Sequence, residues 1–302
     1  MEEIDSLLQE RGIPIPHRQM EAVGIASEKL GCPLTLLDPN AAQTPGDFTG
    51  DQFASHLYHW FKARYGDKLK ISLSPGRMAF SLRGDLWVFQ FGKVYGKVEL
   101  FCSAIEQSTH PKPLGSGRPR FNMLDAITGL SSEFRASLSI DEVEQIGYLF
   151  VLGYSAVTKM EVLSNCGLRF LDEAKSDLEA AVHFLTANQH FGQSKWASLQ
   201  TAEKMLKAFI AQNNGTFEKT HGLEEVALAA EHLGLATIPR QQLSLIQCKG
   251  GVRYGDIPVD CIDALSAHHA SLAVSGQIAL SIMRKKGITD DTVSSLVVTR
   301  KS

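Results

Sequence analysis

The sequence predicts an α+β protein in which a small N-terminal module of helices and antiparallel strands precedes a mainly α-helical bundle. Three observations predict this class. Short runs rich in β-forming residues are confined to residues 69–103. After about residue 121, apolar residues recur at spacings of three and four. The chain of 302 residues is 44% hydrophobic and 21% charged, an ordinary globular composition with room for more than one domain.

Residues 1–45 are predicted to form two short helices. One ends at Gly12 and the other runs from about His17 to Leu30, because Pro14 and Pro16 interrupt the chain between them. The following segment, LLDPNAAQTPGD, has the composition of a linker.

Residues 46–120 are predicted to form the small α+β module. Thr49 and Gln52 match a capping box for a helix with one apolar side, which carries Phe53, Leu57, Trp60 and Phe61. Four β-forming runs follow: LKISLS, MAFSLR, LWVFQF and KVELFCS. Short gaps rich in glycine separate them, as in an antiparallel meander. The stretch LGSGRPRF beyond them is either a phosphate-binding nest or, more simply, an exposed loop.

Residues 121–290 are predicted to form the helical bundle. Ser139 and Glu142 match a second capping box. The apolar run Ile146 to Val157 has twelve residues, too few to span a bilayer as a helix, so it predicts a buried core helix. The last long helix is predicted after Pro258, and residues 288–302 show no helical period.

The central element of the bundle is a predicted amphipathic helix after Ser194. Its apolar side carries Trp196, Leu199, Ala202, Leu206, Phe209 and Ile210, and its polar side carries Lys195, Gln200, Glu203, Lys204 and Lys207. Asn213, Asn214 and Gly215 end the helix, and another helix begins near Thr220 and His221.

The order of the segments AEKMLKA, THGLEEV and VRYGD resembles the HEPN family of small prokaryotic helical bundles. Flanking segments extend this resemblance over about Leu171 to Met283. The family includes ribonucleases, partners of nucleotidyltransferases and members without known chemistry, so the resemblance implies a fold more firmly than an activity. A nucleotidyltransferase module is not expected at the N-terminus, because Gly115-Ser116 has no nearby pair of aspartates.

Ribonucleases of this family carry an arginine followed four to six residues later by a histidine. The guanidinium stabilises the charge on the reacting phosphate and the imidazole moves a proton. The corresponding arginine here is Arg253, and residues 257–259 are Ile-Pro-Val. His269 is either a replacement for the missing histidine or a core residue with one hydrogen-bond partner, and His268 is predicted to be exposed.

The predicted ligand-binding residues are Lys204, Lys207, His221, Arg253 and Tyr254. The two lysines line an anion-binding groove with Lys195 in one interpretation and a solvated helix face in the other. His221 follows Thr220 at a helix start, where a structural role explains both residues. We expect no metal site, because the His56 and His59 pair has no identifiable third ligand, and no cofactor is predicted.

Charge and cysteine content predict a cytoplasmic protein without a membrane segment. The net charge of −3 gives no overall attraction to nucleic acid, so any such binding needs a local patch. The five cysteines share no Cys-x-x-Cys spacing and are expected to be free thiols. The acidic N-terminus argues against a signal peptide.

Three functions remain open at this point. The first is non-catalytic binding of a nucleotide, RNA or protein partner by a homodimer. The second is a ribonuclease of a bacterial defence or toxin–antitoxin system that uses Arg253 and His269. The third is a dimeric scaffold whose N-terminal module binds protein.

Overall fold

The computed structural model divides the chain into two compact units, Met1–Leu73 and Ser74–Ser302. It describes residues 1–34, 44–69, 74–93, 98–109, 119–217 and 222–289. The predicted strand LKISLS, the loop LGSGRPRF and the C-terminal tail lie wholly or largely outside these residues, as do Thr220 and His221.

The described residues of the first unit form three α-helices: α1 (Glu2–Glu10), α2 (Ile15–Leu30) and α3 (Gly50–Tyr65). They share a small core that includes Ile4, Leu8, Ala22, Leu57 and Phe61. The carboxylate of Asp5 is buried beside this core, where it accepts a hydrogen bond from Tyr65 Oη at 2.6 Å and pairs with Arg18 and Arg64. These contacts join residues from all three helices.

Helix α3 therefore groups with the N-terminal helices rather than with the strands, unlike the sequence-based division at residue 45. The apolar face of α3 is buried against α1 and α2, because Phe61 belongs to the hydrophobic cluster that the three helices share. Thr49 stands at the N-cap, but its hydroxyl donates to Asp47 at 2.7 Å instead of capping the helix.

The second unit begins with an antiparallel hairpin of β1 (Gly76–Leu82) and β2 (Asp85–Phe91). Arg83 and Gly84 form its two-residue turn with φ of 54° and 87°, the left-handed conformation that such a turn requires. The guanidinium of Arg83 donates to both carboxylate oxygens of Glu142. This pairing lowers the pKa of the Glu142 carboxyl to about 2.

The predicted meander is only partly present in the described residues. The runs MAFSLR and LWVFQF pair as predicted, but the next strand does not join them. Instead β3 (Glu99–Phe101) pairs in parallel with β4 (Arg120–Asn122). Asn122 holds this pair to the adjoining loop through its side-chain amide, which donates to the carbonyl oxygens of Ser103 and Glu106 at 2.7 Å.

Helices make up the rest of the second unit, which confirms the predicted α+β class. They are α4 (Ser132–Ala136), α5 (Ile140–Leu163), α6 (Leu171–Thr186), α7 (Phe191–Gln212), α8 (Leu223–His232), α9 (Arg240–Ile246), α10 (Gly251–Tyr254) and α11 (Cys261–Lys285). The predicted capping box of Ser139 and Glu142 begins α5.

Helix α5 packs against one face of the hairpin. Phe150 meets the rings of Phe89 and Phe91 edge-on, with centroids 5.6 and 5.3 Å apart. Gly153 permits this close approach, because a Cβ there would lie 2.4 Å from the sulfur of Met78. The apolar run Ile146–Val157 is thus a core helix, as predicted.

One helix among the described residues, Ile140–Cys166, is long and apolar enough to cross a membrane. Of its most apolar stretch, 61% is buried inside the protein. The helix therefore has the environment of a core helix.

Side chains of α6 and α11 take the place of a third strand along the free edge of β1. The N–H of Arg77 donates to Glu179 Oε1 at 3.0 Å. The N–H of Ala79 donates to His268 Nε2 at 3.3 Å, and His269 Nε2 donates to the carbonyl oxygen of Ala79 at 2.9 Å. His268 is 0% exposed, so the prediction that it faces solvent is wrong: consecutive positions of α11 both reach this strand.

Acidification should destabilise this edge through His268. The imidazole has an ordinary pKa of about 6.5 in an unfolded chain, whereas burial lowers the pKa of His268 to about 3 in the folded protein. Between these values the unfolded chain binds more protons, so the free energy of unfolding falls as the pH is lowered. We expect His268→Gln to lose less stability than the wild type between about pH 7 and about pH 4.5.

Hydrogen exchange of the β1 amides at the two pH values measures this difference. His183→Gln, which removes an exposed histidine, is the matched control and should follow the wild type. Parallel pH profiles for His268→Gln and the wild type would contradict the prediction.

Candidate functional site

The Arg-Tyr motif forms a single exposed helical turn, α10. Gly250 precedes the turn and Gly255 ends it with φ of 82°, a left-handed conformation that suits glycine. Arg253 is exposed and Tyr254 is 75% exposed. The guanidinium carbon of Arg253 lies 5.6 Å from the centroid of the Tyr254 ring. The turn therefore presents a cation beside an aromatic face.

Helix α10 rests on the first turn of α7 at Gly192. A Cβ on Gly192 would lie 2.2 Å from the carbonyl oxygen of Val252, so only glycine permits this backbone contact. Val252 is 5% exposed and anchors the turn from below. The position of Arg253 and Tyr254 is thus fixed by backbone packing, and nothing in the sequence alone indicated this role of Gly192.

Lys204 and Lys207 are paired with carboxylates. Lys204 Nζ lies 2.5 Å from Asp177 of α6, and Lys207 Nζ lies 2.5 Å from Glu203 one turn earlier. The side chains of Lys204 and Lys207 are 25% and 14% exposed. Burial raises the pKa of the Asp177 carboxyl despite the opposing effect of Lys204. The two lysines form neither a free basic groove nor a solvated face.

The structure does not bring these lysines together with Arg253. Helix α10 contacts α7 at Gly192, and Lys204 lies twelve residues further along the same helix. At 1.5 Å per residue this corresponds to roughly 18 Å. The predicted set of ligand-binding residues therefore separates into a surface at α10 and ion pairs near the other half of α7.

His269 is committed to the edge of β1. Its Nε2 donates to the carbonyl oxygen of Ala79, and burial lowers the pKa of its imidazole. These are the surroundings of a core histidine with one hydrogen-bond partner, the simpler of the two interpretations of the sequence. His221, another predicted ligand-binding residue, lies outside the described residues.

No group of three or more His, Cys, Asp or Glu residues that could hold a metal ion occurs in the described part of the chain. The five cysteines are free and half-buried. Burial raises the pKa of the Cys102 thiol to about 12 and that of Cys248 to about 11, so both thiols are protonated at neutral pH.

Comparison with protein families supports the resemblance found in the sequence. The model of the HEPN domain matches residues 168–268, about a third of the chain, from the turn before α6 into α11. Comparisons with curated proteins and with solved structures give no significant match. The C-terminal region thus carries a HEPN domain, as AEKMLKA, THGLEEV and VRYGD predicted. The matched region includes Arg253 and ends one residue before His269.

The pairing of Lys204 with Asp177 leads to a prediction about charge reversal. Lys204→Glu places a second carboxylate against Asp177 in a partly buried contact, so we expect a loss of about 1–3 kcal/mol in the free energy of unfolding at neutral pH. The loss should shrink on acidification, because protonation of Asp177 removes the repulsion. Urea unfolding at two pH values measures both effects.

Lys204→Gln is the matched control, since it removes the charge without reversing it. We expect this variant to be less destabilised than Lys204→Glu and to depend less on pH. If Lys204→Glu were as stable as the wild type, the lysine would be a solvated surface residue.

Proposed function

We propose that this protein is a non-catalytic, cytoplasmic HEPN-domain protein that binds RNA or a nucleotide through the exposed surface of α10. The observation that carries the proposal is the side-by-side exposure of Arg253 and Tyr254. Within the described residues, Arg253 forms no ion pair, which distinguishes it from Lys204 and Lys207. A free guanidinium binds phosphate oxygens, and an exposed aromatic ring stacks on a base.

Two observations favour binding over ribonuclease chemistry. Residues 257–259 offer no histidine at the spacing that family ribonucleases use after Arg253. His269, the remaining candidate, already donates its Nε2 proton to the Ala79 carbonyl oxygen and is largely buried. A general base must reach the proton that it removes, and this imidazole is held against the strand instead.

The main test compares two exposed arginines that each lie beside an aromatic neighbour. Arg253 is next to Tyr254, and Arg169 lies 4.6 Å from the ring centroid of Phe170. We expect Arg253→Ala to weaken the binding of a single-stranded RNA oligonucleotide. The slope of log affinity against log salt concentration should also become shallower, by an amount that corresponds to about one released counterion. Arg169→Ala should leave both quantities unchanged. Fluorescence anisotropy at two salt concentrations measures them, with a mononucleotide as a second ligand.

The same proteins should leave the RNA intact during prolonged incubation. Cleavage by the wild type that disappears in Arg253→Ala would instead establish the ribonuclease alternative. Absence of any salt-sensitive binding by the wild type would favour the scaffold.

We also propose that the protein is a homodimer that uses the apolar surface at the start of α11 and leaves Arg253 and Tyr254 free for the ligand. Ile257 is 38% exposed and Ile262 77%. Exposed apolar side chains of this size are typical of a surface that a partner covers. A dimer contact here would place two α10 turns near each other.

Sedimentation of the wild type and of Ile262→Asp tests this assembly. We expect a dimer for the wild type at micromolar concentration and a shift towards monomer for the variant, because a carboxylate in an apolar contact is costly to desolvate. Ile140→Asp changes a similarly exposed isoleucine on α5 and should remain dimeric. A monomeric wild type would contradict the proposal.

A further inference from the structure

Strand β2 has main-chain groups that point away from its partner strand. Ala79 of β1 lies opposite Val88 and turns its N–H and carbonyl outward, to the two histidines. The carbonyl oxygen of Val88 accepts the Thr128 N–H at 2.9 Å, on the other side of the hairpin. Outward orientation recurs every second residue of a strand, so the N–H and carbonyl of Leu86 also point away from β1. No described segment bonds to these Leu86 groups.

Among the described residues, the chain occupies half of the strand position beside β2. Ile127 forms an antiparallel bridge with Phe89, and Thr128 bonds to Val88. Gly129 then adopts φ of 77°, which turns the chain away, and Ser131 caps α4. No described residue occupies the strand position beside residues 85–87.

A groove of about 790 Å³ lies along this strand position. Its lining includes residues 84–88 and Thr128, together with Thr186, Gln189, Phe191 and Cys261. Arg77 and Gln90 also line it. The volume is within the range of about 300–1,000 Å³ that is usual for ligand sites.

The charges in the groove favour a basic ligand. The guanidinium of Arg77 is balanced by Glu179, with Nε 2.7 Å from Oε2. Asp85 is exposed and forms no ion pair with any described residue, so it leaves a net negative charge at one end of the groove. The opposite edge of the sheet is closed to a ligand, because Glu179, His268 and His269 already bond to β1.

We propose that this groove binds an extended peptide segment of a partner protein, which adds to β2 as a short strand beside Asp85, Leu86 and Trp87. The peptide extends the strand position beside β2 that Ile127 and Thr128 occupy in part, and it presents a lysine or arginine to Asp85. An uncovered strand edge is a template for such an addition: main-chain hydrogen bonds provide affinity, and alternate side chains provide specificity. This site is independent of the function proposed for α10.

The test uses the full-length protein and a library of fluorescein-labelled seven-residue peptides, each with one lysine among β-branched residues. The tightest binder in the library is then measured on variants. Leu86→Pro removes the outward N–H that the added strand needs, and we expect about tenfold weaker binding. Leu86→Ala keeps that N–H and should bind within about threefold of the wild type.

Two further variants separate local effects from misfolding. Ser81→Pro removes an outward N–H at the matching position of β1, which does not line the groove, and should leave binding unchanged. Asp85→Asn should abolish the preference for lysine over norleucine in the peptide. The bound peptide should also slow both the alkylation of Cys261 and the exchange of the Leu86 amide.

The proposal is overturned if no library peptide binds, or if Leu86→Pro and Leu86→Ala weaken binding equally. It is also overturned if a bound peptide leaves Cys261 alkylation and Leu86 exchange unchanged. These last readouts use the wild-type protein, so they decide the matter even if Leu86→Pro fails to fold.

Discussion

The second unit depends on the hydrogen-bond partners of the main-chain groups along the free edge of β1. A two-stranded hairpin is marginally stable alone, and each buried main-chain group without a partner costs about 1–3 kcal/mol. Glu179 supplies a carboxylate to Arg77, and His268 and His269 supply an acceptor and a donor to Ala79. These contacts require α6 and α11 to lie against the strand at fixed positions. The hairpin and the HEPN region therefore pack together within one compact unit.

This arrangement also fixes the proton positions of the two histidines. His268 accepts through Nε2, so its neutral ring carries the proton on Nδ1, a buried atom without a hydrogen-bond partner in the described residues. His269 donates through Nε2 to a carbonyl oxygen. The acceptor role of His268 Nε2 depends on a neutral ring, in keeping with the lowered pKa of that imidazole. Protonation of His268 at Nε2 would therefore break its hydrogen bond with the Ala79 N–H.

The sequence predicted local elements well because their signals are local. Helical periodicity located α5, α7 and α11, and the capping box located the start of α5. The sequence did not reveal which faces of each helix other elements would cover. In one interpretation of the sequence, the polar side of α7 is a solvated face. In the structure, Lys195 is 8% exposed and Glu203 3% exposed, because other helices pack around α7. Lys195 pairs with Asp263 of α11, which is distant in sequence and absent from any local pattern.

The parts of the candidate site differ in predictability for the same reason. Arg253 and Tyr254 stand in a recognisable segment, so the family resemblance locates them. A helix of four residues is too short to be stable alone, because the cost of starting a helix is spread over so few hydrogen bonds. The turn persists because Val252 is buried and its carbonyl oxygen fits against Gly192. This contact gives a physical reason for the order of the motifs: the helix that starts at Phe191 provides the surface on which the Arg-Tyr turn is later built.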